Sequence, residues 1–147
     1  MAPQPATRFQ RRRGSFGAAL SSSEGLGLER LNIGIGYWLA KGWSRRALLR
    51  YGKLAAWGVI RPCRTGRKIG PLVADDRAAA EAVVQALLAS ADGGEVFLDV
   101  PAVNREAIAL AEQLGLKPVF ETARMYTGPI PPLRLDRVFG VTSFELG

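Results

Sequence analysis

The chain has 147 residues, of which 48% are hydrophobic, and this is enough for one domain with a core of its own. Its formal net charge is +7, and it contains one cysteine and no histidine. These counts exclude an internal disulfide, catalysis by Ser–His–Asp or Cys–His groups, and zinc sites built from histidine or from four cysteines. No apolar run reaches the roughly 20 residues of a membrane span. We therefore expect a cytoplasmic protein that contacts no membrane and holds no metal.

The N-terminal segment differs in composition from the rest of the chain. Residues 1–30 mix Pro, Gly, Ser and Arg without an apolar period, which predicts poor order. A targeting peptide and a nucleic-acid contact through Arg11–Arg13 are alternatives, although we do not expect a nucleic-acid partner. "GWSRRALLRY" is compatible with a short helix that has Ser44 as its N-cap. We expect residues 1–45 to be basic and either disordered or foreign to a domain at 46–147.

From Gly52 onward the local signals are clearer. "GKLAAWGVIR" and "RKIGPLVA" are strand candidates joined by the turn "PCRTG", which predicts an antiparallel hairpin. The cations around this turn are expected to be solvated edge charges, with contact to an anionic ligand as the alternative: Arg61, Arg64, Arg67 and Lys68.

Two amphipathic helices follow the hairpin. The first has Asp75 or Asp76 as its N-cap and a single apolar stripe, made of Ala80, Val83, Val84, Leu87 and Leu88. The strand "EVFLDV" comes next, with Val96, Leu98 and Val100 on one face and Asp99 on the other. Asn104 then caps a second helix, which Gly115 ends as its C′ residue.

The C-terminal segment completes the predicted element order. "KPVFETARMYTG" is a strand or a bent strand pair, "PIPP" is a rigid loop, and "RVFGVTSFEL" is the last strand. The order is therefore β-β-α-β-α-β-β. A strand–helix–strand crossover favours parallel neighbours, and the flanking hairpins add antiparallel edges. These patterns indicate a mixed α/β sheet.

The second helix carries a resemblance to a known family. "NREAIALAEQLGL" resembles the fourth-helix signature N-x-x-A-x-x-L-Y-x-x-x-G-F of the GNAT acetyltransferases, through Asn104, Ala107, Leu110 and Gly115. "IRPCRTGRKIGPLVADD", "VFLDVP", "FETARMYTG" and "VFGVTSFELG" resemble, in that order, the C-terminal GNAT-like domain of two-domain bacterial members. The resemblance covers residues 52–147. It implies a GNAT-like mixed sheet without the usual N-terminal strand and helices. Its implied partner is a missing upstream GNAT domain or a second copy of the chain.

The resemblance implies transfer of an acetyl group from acetyl-CoA to a small-molecule amine. The positions implied for the cofactor are the backbone of Val73 and Ala74, the helix start at Arg77 and Ala79, and Asn104 beside the pantetheine arm. Family members hold the pyrophosphate on a glycine-containing loop, whereas "DDRAAAEA" has alanines there and two aspartates that can cap the free amides.

The catalytic signature departs from the family at one position, because Ala111 stands where a tyrosine often acts as general acid. Tyr126 is the candidate substitute acid, and Glu121 and Asp99 are candidate bases. The alternatives are a satisfied strand-end carboxylate for Asp99, a packed aromatic for Tyr126 and a helix cap for Asn104. Two functions therefore stand open. The chain is an N-acetyltransferase domain, or it is a non-catalytic accessory domain that packs on a catalytic domain and shapes its substrate site.

Overall fold

A computed structural model of the chain describes residues 4–12, 27–29, 42–91 and 93–144. Within these residues, eight strands form one mixed sheet, and seven of them lie in the row β2-β3-β4-β5-β6-β1-β7, with β8 paired to β5 beside that row. The elements are β1 (Gln4–Arg11), β2 (Gly27–Glu29), β3 (Ser44–Arg50), β4 (Lys53–Pro62), β5 (Arg67–Ala74), α1 (Arg77–Ala89), β6 (Val96–Pro101), α2 (Arg105–Gln113), β7 (Lys117–Arg124), a 3₁₀ turn (Leu135–Arg137) and β8 (Val138–Gly140). The predicted order β-β-α-β-α-β-β is confirmed by β4 through β8.

Strand β1 lies inside the sheet, between β6 and β7, and pairs antiparallel with both. Phe9 and Thr7 point to one face and are buried, whereas Arg8 points to the other face and reaches Asp99. The expectation that residues 1–30 are poorly ordered is therefore wrong for Gln4–Arg11. Most other residues of the segment 1–45 lie outside the described part of the chain.

Residues 44–50 form strand β3, so the short helix with which this ambiguous segment was compatible does not form. The strand pairs with β4 in a hairpin whose two central residues, Tyr51 and Gly52, have φ of 53° and 72°. Positive φ at both positions is the geometry of the two-residue turn that best matches the twist of paired strands. The pairing with β4 and the burial of Ala47 and Leu48 outweigh the weak helical signal of the segment.

The two helices build the core against the sheet. Helix α1 packs on β3, β4 and β5, helix α2 packs on β6 and β8, and the helices contact each other. The stripe predicted for α1 is buried throughout, and Val83 and Leu87 lie over Gly58, where a Cβ would come within 3.2 Å of both side chains. Asp76 and Asn104 cap the helices, and Gly115 ends α2 with a φ of 73°. No helix within the described residues is long and apolar enough to cross a membrane.

Candidate functional site

The candidate site lies at the carboxyl ends of β5 and β6, where these parallel strands separate. They pair only from Arg67 to Ile69 with Val96 to Leu98. Beyond this point β8 runs antiparallel to β5, with Leu72 opposite Gly140 and Val73 opposite Val138. The Val141 N–H also donates a hydrogen bond of 2.8 Å to the Asp99 carbonyl of β6. The chain's own C-terminal segment therefore occupies the gap between the two strands.

Two glycines allow this close approach of β8. A Cβ on Gly140 would lie 2.7 Å from Cδ1 of Leu98 and 3.3 Å from Cβ of Leu72. A Cβ on Gly70 would overlap the carbonyl oxygen of Val141, which is rigid backbone. Phe139, which precedes Gly140 in β8, is 1% exposed and belongs to the core. The glycine of the "RKIG" phrase thus makes room for the chain itself.

The start of α2 is tied to the same segment through Asn104, which is buried. Its Oδ1 accepts a hydrogen bond from the Ala107 N–H at 3.1 Å, so the predicted helix cap is confirmed. Its Nδ2 donates to the carbonyl oxygens of Leu135, Asp136 and Val138 at 3.2, 3.1 and 2.9 Å. An amide has only two N–H bonds, so three acceptors share them. The side chain that the family places beside the pantetheine arm here holds the turn before β8.

The start of α1 is closed by an aspartate. Asp76 Oδ1 accepts a hydrogen bond of 2.8 Å from the Ala79 N–H, and Arg50 donates from Nη1 to Asp76 Oδ2 at 2.6 Å. The hydrogen bond from Arg50 and then that from the Ala79 amide lower the pKa of Asp76. Asp75 beside it pairs with Arg137 at 3.2 Å. Two carboxylates therefore occupy the end of the helix that would otherwise attract an anion.

The side chain of Arg77 contacts helix α2 and does not lie over the N-terminus of α1. Its Nη2 donates to Gln113 Oε1 at 2.5 Å, and its Nη1 lies 3.6 Å from Glu106 Oε2. Both partners belong to α2, so this cation bridges the two helices. The role in diphosphate binding expected for Arg77 stays a prediction, and the geometry gives the side chain another use.

Asp99 is fully buried between two cations. Arg8 donates from Nε to Asp99 Oδ1 at 2.7 Å and from Nη2 to Oδ2 at 3.0 Å, and the Lys68 ammonium forms an ion pair with the same Oδ2. Lys68 is only 5% exposed, so the expectation that it is a solvated edge charge is wrong. Both oxygens of this carboxylate are therefore engaged by cations of the chain itself. The geometry agrees with a satisfied strand-end carboxylate; the role of base stays a prediction.

The other two candidate catalytic residues lie on or after β7. Glu121 is exposed and stands opposite Thr7, whereas Asp99 stands opposite Arg8, so alternation along β1 sends the two carboxylates to opposite faces of the sheet. The Tyr126 hydroxyl accepts from Arg124 at 3.3 Å and donates to Gln4 Oε1 at 3.4 Å. The structure does not bring Asp99 and Glu121 together, and the catalytic roles of Tyr126, Glu121 and Asp99 stay predictions.

Comparison with known families identifies the domain. The family model described as "Acetyltransferase (GNAT) domain" matches residues 24–140, which is most of the chain. The chain belongs to the GNAT acetyltransferase family. It is also 29% identical over 89 residues to holothin acyltransferase from Pseudoalteromonas sp. (strain SANK 73390), a match that covers 60% of this chain and 30% of that protein.

Solved structures support the GNAT-like fold. A structure from Pyrococcus horikoshii assigned as an acetyltransferase aligns with a TM-score of 0.64 at 19% identity, covering 95% of this chain and 50% of that one. A GNAT-family structure from Novosphingobium aromaticivorans aligns with a TM-score of 0.56 at 17% identity, covering 82% and 62%. The GNAT-like mixed α/β fold expected from the sequence is confirmed. The chain spans about half the length of the first of these structures and less than a third of the acyltransferase.

GNAT enzymes generally use acetyl-CoA, and the residues present here do not fit that group well. The backbone of Val73 is paired with Val138, the Ala79 amide is bonded to Asp76, and the Asn104 amide is bonded to three carbonyls. Sequence reasoning missed this because it did not place "RVFGV" against β5. The one local signal was the pair of small residues Gly70 and Gly140, which a close strand approach requires.

Proposed function

We propose that this domain serves an acyl-CoA-dependent N-acyltransferase as its non-catalytic GNAT-like partner. In this role it packs on a catalytic domain in the cytoplasm, shapes the cleft for a small-molecule amine, and binds no acetyl-CoA itself. Two facts support the proposal. The chain belongs to the GNAT family, and the backbone and side-chain groups expected to bind the cofactor are hydrogen-bonded within the chain itself.

The observation that carries the proposal is the position of β8. An extended cofactor arm bound between β5 and β6 would need the hydrogen-bonding edge that β5 offers at Leu72 and Val73, and β8 takes that edge. The segment is held from several sides, by the core burial of Phe139, by the Asn104 amide and by the Arg137–Asp75 ion pair. Removing it would leave these groups unsatisfied, which is costly.

The electrostatics at α1 support the same function. A diphosphate gains from free N–H groups and from the positive end of a helix dipole. Here Asp75 and Asp76 lie at that end, and the lowered pKa of Asp76 keeps it ionised at neutral pH. A diphosphate would therefore meet a helix start that Asp76 already caps, and it would compete with two carboxylates for their arginine partners, Arg50 and Arg137.

Exposed apolar side chains on the edge strand β7 support the proposal that the domain packs on a partner. Strand β7 ends the row of described strands, and its Val119 and Phe120 are 50% and 56% exposed. A second domain or a second copy would cover these apolar side chains. Light scattering of the full chain at increasing concentration separates a self-associating chain from one whose partner is a different domain.

The second candidate is that the chain itself transfers an acetyl group from acetyl-CoA to an amine. It is favoured by the family match over residues 24–140 and by the similarity to a protein named as an acyltransferase. It requires β8 to leave β5 before the cofactor can bind.

Calorimetric titration of acetyl-CoA into the full chain tests the two candidates. The chain is first shown to be folded by circular dichroism and a cooperative thermal transition. The accessory function predicts no heat of binding at protein concentrations suited to micromolar affinity. The variant Asp76→Ser keeps the helix cap and removes one negative charge, and it should also fail to bind because β8 still occupies β5. Micromolar binding by the unaltered, folded chain would refute the accessory function and favour the second candidate.

A further inference from the structure

A half-open cavity of about 110 Å³ lies at the end of β1, β6 and β7, on the face of the sheet that carries Asp99. Most of its wall is apolar, and the apolar residues come from β1, β6, the loop after β6, the 3₁₀ turn and the segment after β8: Ala6, Pro101, Val103, Leu135, Val141 and Phe144. Its wall includes Leu135 and Val141, which flank β8, but none of the residues expected to hold acetyl-CoA, which are Val73, Ala74, Arg77, Ala79 and Asn104.

The cavity exists because one cross-strand row has short side chains. Ala6 stands opposite Pro101 on one side and Thr122 on the other. The neighbouring row holds Arg8, Asp99 and Phe120. The Arg8 guanidinium lies 5.0 Å from the centre of the Phe144 ring, and the Phe120 and Phe144 ring centres are 6.2 Å apart. Side chains of paired residues point to the same face of the sheet. A row of short side chains between rows of longer ones therefore leaves a hollow, and the Phe144 ring forms one of its walls.

A cation lines the polar wall of this cavity. Arg124 is half-buried there beside Gln4 and Thr122, and its Nη1 donates to the Tyr126 hydroxyl at 3.3 Å. That partner is neutral, and no ion pair joins Arg124 to a carboxylate of the described residues. Glu121 points to the opposite face, and Asp99 has its own two cations. Within the part of the chain that the structure describes, the guanidinium therefore has donors without an acceptor and a charge without a carboxylate partner, beside an apolar hollow.

We propose that this cavity binds a small carboxylate with a branched apolar group, the carboxylate on the Arg124 guanidinium and the apolar group over Ala6 and against Phe144. A guanidinium matches a carboxylate in shape and can donate two parallel hydrogen bonds to it. An apolar cavity of about 150 Å³ holds benzene, so this one accommodates a group of about four carbon atoms. The site does not depend on whether the domain is catalytic.

The test uses isobutyrate as the probe and NMR of the isotope-labelled full chain as the readout. We expect saturable shifts of the Arg124 side-chain signal and of the Thr122 and Ala123 amides. Isobutyramide has the same shape without the charge and should bind about tenfold more weakly or worse, as should Arg124→Gln with isobutyrate. Ala6→Leu fills the hollow and should abolish binding. Arg64→Gln removes one exposed charge at the opposite end of the sheet and should leave the affinity unchanged.

The inference is overturned if isobutyrate and isobutyramide bind equally, or if Arg124→Gln keeps the unaltered affinity. Shifts that spread over the whole surface and do not saturate would mean adventitious binding only, and would also overturn it. If Ala6→Leu does not fold, the comparison of Arg124→Gln with Arg64→Gln still decides the outcome.

Discussion

Helices α1 and α2 both begin with a capping side chain that accepts a hydrogen bond from a backbone N–H of the first turn, but the two caps differ in charge and burial. Helix α1 begins behind Asp76, an exposed and ionised cap whose second partner is Arg50. Helix α2 begins behind Asn104, a buried and neutral cap whose amide group holds three carbonyls of the turn before β8. The start of α1 lies at the surface and has charged partners, whereas the start of α2 is buried and holds the turn before β8 in place.

This difference shows how a family motif can keep its residue and change its use. Asn104 matches the GNAT signature, yet its donors are bonded to this chain's own backbone. The α1 start has lost the family's glycines, and its amide at Ala79 is bonded to a side chain of the chain itself. Both sites are thereby satisfied without a ligand, and the buried one should contribute more to stability than the exposed one.

The largest effect is expected from the anchor of the segment that Asn104 holds. Phe139→Ala removes a fully buried aromatic ring from β8 and should lower the free energy of unfolding by about 3–5 kcal/mol. Urea denaturation followed by circular dichroism measures it. Phe120→Ala is the matched control, because Phe120 is 56% exposed and should cost less than about 1 kcal/mol. Equal costs for the two variants would mean that β8 does not pack between β5 and β6 as described.

Asn104→Ala should cost about 2–4 kcal/mol, because it removes the cap and leaves three carbonyls without their donor. Asn104→Asp keeps the acceptor for the Ala107 amide but places a carboxylate beside those carbonyls. It should therefore recover little of the loss at neutral pH. The same denaturation experiment measures both variants. Full stability of Asn104→Asp would contradict a role of the amide in holding the turn.

Asp76→Ala should cost about 1 kcal/mol at neutral pH, and Asp76→Ser should restore most of it by capping α1 again. The pKa of Asp76 is lowered in the folded chain, so folding favours its ionised form. Its contribution is present above the ordinary carboxyl pKa of about 3.9 and is lost as the pH falls through the lowered value. The difference between the unaltered chain and Asp76→Ala, measured by urea denaturation, should therefore shrink below about pH 4.

The control for this pH dependence is the other helix start. Asn104 carries no titratable group, so the cost of Asn104→Ala should change little over the same pH range. A cost of Asp76→Ala that stays constant from neutral pH into the acid range would show that neither the Arg50 contact nor the Ala79 amide stabilises the ionised carboxylate in solution.

Local signals explain how much of this fold could be predicted. The stripe of α1, the caps at Asp76 and Asn104, and the end of α2 at Gly115 depend on residues within a few positions of one another, and all are confirmed. The hairpin of β4 and β5 likewise follows from one glycine-containing turn. Such features can be predicted from short stretches of sequence because the contacts that stabilise them join residues close together in the chain.

The features that could not be predicted depend on contacts between residues far apart in the sequence. Arg8 meets Asp99 across 91 positions, and nothing in the Pro- and Arg-rich surroundings of β1 indicates that pairing. Residues 44–50 have an ambiguous pattern that only their partner strand resolves. The position of β8 against β5 decides the candidate site, and it depends on contacts between residues that lie far apart in the sequence. The burial of Lys68 could not be predicted either, because the residue follows a turn rich in basic residues and its partner Asp99 lies 31 positions further along the chain.

The smallest effect is expected at the contact that joins the two helix starts. Arg77 reaches from α1 to Gln113 and Glu106 on α2, but both charged side chains are substantially exposed and the ion pair is 3.6 Å long. Exposed pairs of this kind contribute about 0.2–1 kcal/mol because solvent screens the charges and ordering the side chains costs entropy. A double-mutant cycle of Arg77→Ala and Glu106→Ala should give a coupling energy near about 0.3 kcal/mol, reduced further by salt. A salt-resistant coupling above about 1 kcal/mol would mean that the two helix starts act as one unit.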